Sequence, residues 1–211
     1  MSAKKNSTHF SKKEAIKLGF QTAKKNIVFF IGIFVIITLV FALTTLIQSS
    51  QAFNKDAASF VISNILVFVV NTIIDMGLIR IAIKFAEREK AVFSDLFYTP
   101  SLINYVLTSI MSAVIVLMGL ILFIIPGIIF ALRVQFSKYL VIDKGLGPVE
   151  AIQKSWKMTK GVSFNLFLFA ILLMLINLLG LLAFVVGLFI SVPLTMVANA
   201  FVYRKLLSYA K

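Results

Sequence analysis

The 211-residue chain contains no cysteine and a single histidine, His9. The first absence removes disulfides, thiolate catalysis and cysteine-based metal sites. The second removes nearly every histidine-dependent hydrolase or metal constellation, because His9 stands in a polar stretch at the start of the chain. Acidic residues are scarce too, eight against 21 Lys and Arg. Glu87 and Glu89 are spaced i,i+2 and fall on different helix faces, so they make no acid–base pair. The chain is read as a non-enzyme with no cofactor. Charged residues of both signs amount to 14%, where a soluble domain carries roughly 25%.

What fills the chain instead is apolar: 60% hydrophobic residues, with 21 Phe, in runs of the length a helix needs to cross a ~30 Å hydrocarbon core. The expectation is an all-α, polytopic membrane protein. Residues 1–13 form a basic, disordered tail, and 14–211 a single six-span domain. The spans are about 27–47, 59–83, 102–124, 128–142, 164–182 and 188–206. A signal peptide is the other reading of the first run, but its length exceeds the 7–15 residues of an h-region, which favours an uncleaved anchor. The run 102–142 would measure about 60 Å as one helix, so it must fold back. Pro126 and Gly127 are where a proline stops the helical ladder and a glycine frees the turn. Pro193, inside the last span, is the other candidate hinge.

Polar segments precede the odd-numbered spans. Ser11-Lys-Lys-Glu14 fits a capping box for a basic helix whose apolar face is Ile16, Phe20 and Ala23. That helix either lies in the headgroup region or is a solvated basic tail. Ser94 before Asp-Leu-Phe can cap a short helix. From Val149 to Lys160, Ala151, Ile152, Trp156 and Thr159 share one face, with Trp156 suited to headgroup level. Glu14-Ala-Ile and Lys24 align with Glu150-Ala-Ile and Lys160 at a constant offset; with the Ser94-Asp-Leu-Phe helix as a degenerate third copy, this gives three pseudo-repeated units of interfacial helix plus transmembrane hairpin. Of the 21 basic residues only Lys55 then faces outward, which places both termini in the cytosol of a plasma (cytoplasmic) membrane. The net charge of +13 follows these loops, so anionic lipid headgroups are the expected partner and nucleic acid is not. A protein partner or a homo-oligomer stays open.

Charges inside spans are expensive and seek partners. If the even-numbered spans end near Ile83, Ile142 and Leu206, then Asp75, Arg133 and Asn199 lie at similar depth, with Asn71 nearby. An Asp75–Arg133 ion pair is expected, either as glue between helices or as a polar pathway.

The Ile-Ile-Pro126-Gly127-Ile turn, Arg133, Val141-Ile-Asp143 and Glu150-Ala-Ile-Gln-Lys-Ser155-Trp156-Lys-Met-Thr-Lys160-Gly161 are the chain's most distinctive residues. With Ser94-Asp-Leu-Phe97 and Val192-Pro193…Tyr203-Arg-Lys-Leu206, they resemble the prokaryotic glycerophosphoryl diester phosphodiesterase membrane-domain family. That family also contains stand-alone integral membrane proteins of unknown function. The resemblance covers about residues 65–206 and implies a six-span fold. It implies no diesterase activity, since the catalytic barrel of some relatives is lacking here. The functional expectation is a non-catalytic, lipid- or protein-associated membrane module, with a small transporter or channel as the alternative.

Overall fold

The computed structural model describes residues 10–51, 57–183 and 186–210. His9 and Lys55 lie outside the described residues, as does the basic tail over 1–9. Every regular element among the described residues is helical. Five segments are long and apolar enough to cross a membrane: Ile27–Ser49, Ala57–Ala86, Leu102–Leu122, Ile124–Lys144 and Ser163–Leu182. The chain is therefore a multi-pass helical membrane protein.

Helix α1 (Lys12–Lys25) starts where the capping motif predicts, with the Glu14 amide donating to Ser11 Oγ at 3.3 Å. Its buried stripe is Ala15, Gly19, Thr22 and Ala23, all small, and it lies against the last helix, α9 (Leu188–Tyr209). A Cβ at Gly19 would overlap the Leu194 backbone, so glycine is what permits this approach. Phe20, from the expected apolar face, stays 48% exposed. Of the same expected face, Ala23 is fully buried and Ile16 packs partly against the core, so small residues sit where the two backbones touch.

Helix α2 (Ile27–Gln51) leads to α3 (Ala57–Ala86), whose 30 residues span about 45 Å, some 15 Å more than a bilayer core requires. At Arg88, in the left-handed region at φ 64°, the chain reverses and runs back along α3. The expected Ser94-capped helix is a 3-10 turn, Phe93–Phe97, in which Asp95 rather than Ser94 accepts the Val92 amide, at 2.8 Å. Fully buried Leu96 packs over Gly77, where a Cβ would strike the Leu96 carbonyl.

Helices α4 (Leu102–Leu122) and α5 (Ile124–Val134) are joined by Phe123 alone, in extended conformation. The reversal therefore precedes Pro126-Gly127 by three residues. Pro126 falls instead in the first turn of α5, where amides have no intrahelical acceptor to lose. Gly127 lets α5 close onto Gly119 and Leu120 of α4. The expected continuous span 128–142 is broken: α5 ends at Val134 and α6 (Ser137–Lys144) begins after Gln135-Phe136. Gly145, at φ 63°, ends α6, and Pro148 opens α7 (Pro148–Met158). Helix α8 (Ser163–Leu182) follows.

Helix α9, expected as the sixth span, is not among the five segments apolar enough to qualify. It carries Asn199, Tyr203, Arg204 and Lys205, yet Val197, Ala198, Ala200, Val202 and Tyr203 are fully buried. Helices α1, α2, α3, α7 and α8 all touch it. A helix surrounded by protein does not need a lipid-compatible surface, so its lower hydropathy and its central position have one cause. Pro193 lies within it. The buried residues concentrate at the end of the bundle holding the C-terminal halves of α3 and α9 together with α1, α6 and α7. At the opposite end, around Ile121, Phe123, Ile124, Met174 and Leu182, large apolar side chains are more than two-thirds exposed.

Candidate functional site

The polar residues expected to form one layer separate, with Asp75 and Asn71 at one site and Arg133 at another, and a third polar site holds none of them; all three lie toward the charged end. At the first, Asp75 Oδ2 accepts the Tyr105 hydroxyl at 2.5 Å and the Lys138 ammonium at 3.1 Å. Lys138 also lies 5.2 Å over the Tyr105 ring. The Asp75 side chain is 50% exposed. It opens onto a crevice of about 390 Å³ between α3 and α4, lined also by Asn71, Thr72 and Ser109. Lys138, and not Arg133, is thus the cation at Asp75. The correction has a tertiary cause: Arg133 turns toward Trp156 of α7, while Lys138 of α6 reaches into the crevice at Asp75.

The second site is the break between α5 and α6. Interrupting a helix leaves backbone groups that hydrocarbon cannot satisfy. Ser155 of α7 supplies both partners: its Oγ donates to the Arg133 carbonyl at 2.6 Å and accepts the Phe136 amide at 3.3 Å. Thr159 Oγ1 donates to the Ser155 carbonyl at 2.8 Å. Ser155 and Thr159 are fully buried. Trp156, beside them, lies 5.1 Å from the Arg133 guanidinium and 5.3 Å from the Phe130 ring. The expected α7 face of Ala151, Ile152, Trp156 and Thr159 does point inward in part, while Glu150 and Lys160 are exposed.

The third site was not anticipated as a cluster. Asp143, whose side chain is 7% exposed, accepts from Tyr203 at 2.7 Å and Arg204 at 2.9 Å, and pairs with Lys144 at 3.3 Å. Arg204 also pairs with Glu87. This joins the ends of α3, α6 and α9. Phe136, Tyr139 and Tyr203 stack just above it, with centroids 5.2–5.9 Å apart. Asn199 is half-buried and meets Tyr139, which also lies within electrostatic reach of Asp75. A signal was available in the sequence: with so few acids in so basic a chain, each acid has cations to choose from. Lys84–Asp95, at 2.6 Å, is another such pair.

These contacts bind helix to helix and repair a helix break. No family model matches the chain, and neither a curated protein nor a solved structure matches it.

Proposed function

We propose that the chain is a non-catalytic module of a prokaryotic plasma membrane, holding lipid or a partner protein at its cytosolic face. The observation that carries this reading is the one-sidedness of the polar groups. The ion pairs among the described residues gather at one end, beneath the Phe136–Tyr139–Tyr203 stack, whereas the buried polar side chains of the other half (Thr44, Ser63, Ser191 and Thr195) are all uncharged. Outward of Asp75, polar contacts between helices are isolated ones such as Asn177–Thr195 at 3.3 Å. A pathway needs polar groups in succession across the bilayer.

In this reading α9 is the sixth span, shielded from lipid by its neighbours, and both termini are cytosolic by the positive-inside rule. Helices α1 and α7 and the 3-10 turn are the inner-leaflet members of three repeated units, each preceding a hairpin. The likeness to the glycerophosphoryl diester phosphodiesterase membrane domain fits the same reading, because its motif residues Gly127, Arg133, Asp143, Ser155 and Trp156 have structural work here. The Asp75 crevice favours the alternative, a small transporter, since it offers one carboxylate, one ammonium and four neutral polar groups to a solute.

Native mass spectrometry of the detergent-extracted protein separates the two. The module reading expects retained phospholipid and no small solute. A stoichiometric polar solute lost on Asp75→Asn, together with flux in proteoliposomes, would replace it with transport.

A further inference from the structure

Between α5 and α8 runs a groove of about 480 Å³, walled by Ile125, Ile128, Ile129, Phe164 and Phe167 and closed at one end by Arg133. Arg133 to Ile125 is two helical turns, about 12 Å. No carboxylate among the described residues pairs with Arg133. Its guanidinium rests on the Trp156 ring, and its backbone is held by Ser155 at the helix break. A fixed cation without a counter-ion, at the end of an apolar trough, has the charge and polarity sequence of a lipid in reverse.

We infer that this groove is a binding site for one anionic phospholipid, with the phosphate on Arg133 and an acyl chain along Ile125, Ile128, Ile129 and Phe164. The inference deepens the module reading and rests on it for the membrane setting. Guanidinium suits the role because its planar fork meets phosphate oxygens two at a time, whereas an ammonium offers a point charge. The site also gives the α5–α6 break a purpose. Stopping α5 at Val134 lets α7 turn in and put Trp156 beneath Arg133, which keeps the guanidinium from swinging into the aqueous layer.

Trp156 is the chain's only tryptophan and therefore an internal reporter. The test is quenching of its fluorescence in the full-length protein, reconstituted in phosphatidylcholine vesicles. These carry a minor fraction of phosphatidylglycerol or phosphatidylcholine brominated on the acyl chain. The anionic lipid is expected to reach half-maximal quenching at about one-tenth the mole fraction of the zwitterionic one, because the choline cation of the latter offsets the phosphate charge that Arg133 would meet. Arg133→Gln should bring the two curves together, and Arg133→Lys should keep about a third of the preference. Added inorganic phosphate should leave the curves in place; displacement by it would assign the cation to a free anion and overturn the lipid site. Equal quenching in the unsubstituted protein overturns the proposal whether or not Arg133→Gln inserts. A preference unchanged in both variants does the same. Either result leaves the module reading standing, whereas solute flux would sink that reading without bearing on the groove.

Discussion

The two ends of the bundle solve opposite problems. At the charged end, backbone breaks and ionisable groups must be satisfied, and residues do this in pairs chosen from different helices: Asp143 with Arg204, Ser155 with the α5–α6 break, Lys84 with Asp95. At the apolar end, Phe123 and Ile124 are 76% and 71% exposed, and Ile121 is 84% exposed. No ion pair among the described residues lies there, and the buried polar side chains are single hydroxyls such as Thr44, Ser63 and Ser191. Apolar side chains gain little by leaving hydrocarbon for a protein interior, so tight packing is not driven at that end as it is in water. Specific structure accumulates where polarity demands it.

The comparison breaks most readily at Phe136, which is fully buried beside the helix break. Phe136→Ala should cost about 3–5 kcal/mol, while Phe123→Ala stays within about 0.5 kcal/mol, both read as thermal unfolding in detergent. Asp143→Ala leaves Tyr203 and Arg204 without their shared acceptor. A loss of about 3 kcal/mol is expected, with Glu87 retaining part of the Arg204 interaction. Ser155→Ala orphans a buried carbonyl and a buried amide, for about 1–3 kcal/mol, and should raise hydrogen exchange at the Phe136 amide. Asp75→Asn costs less than these losses, about 0.6 kcal/mol, because the pair is half exposed. A double-mutant cycle sharpens that last case: Asp75 should couple to Lys138 and be additive with Arg133. Coupling to Arg133 instead would restore the single polar layer that the sequence led one to expect.

Much of the fold was legible because hydropathy over a span-length window answers a one-dimensional question. The reversal near Pro126 and the Ser11 cap were legible for similar reasons, since both are local. What escaped was set by contacts far apart in the chain. The α5–α6 break contains neither proline nor glycine; it is held open by Ser155, some twenty residues later. Helix α9 looked like one span among six, and its central position emerges only from the burial of Ala198, Ala200 and Tyr203. The Asp75–Arg133 pair failed because similar positions along two helices do not bring side chains together: Arg133 meets Trp156 of α7, and Asp75 meets Lys138 of α6. In the candidate site, Arg133, Ser155 and Trp156 were visible as motif residues, but which of them touch was not.

Because the chain has no native cysteine, single introduced cysteines can be read without background. Lys90→Cys, Phe123→Cys, Val186→Cys and Ser208→Cys place one thiol at each end of the bundle's key segments, all at exposed positions. Labelling with a membrane-impermeant maleimide on intact cells tests the six-span, one-sided arrangement directly. The account predicts modification at positions 123 and 186 at once, and at 90 and 208 only after permeabilisation. Modification of positions 186 and 208 from the same side would show that α9 does not cross, and would contradict it.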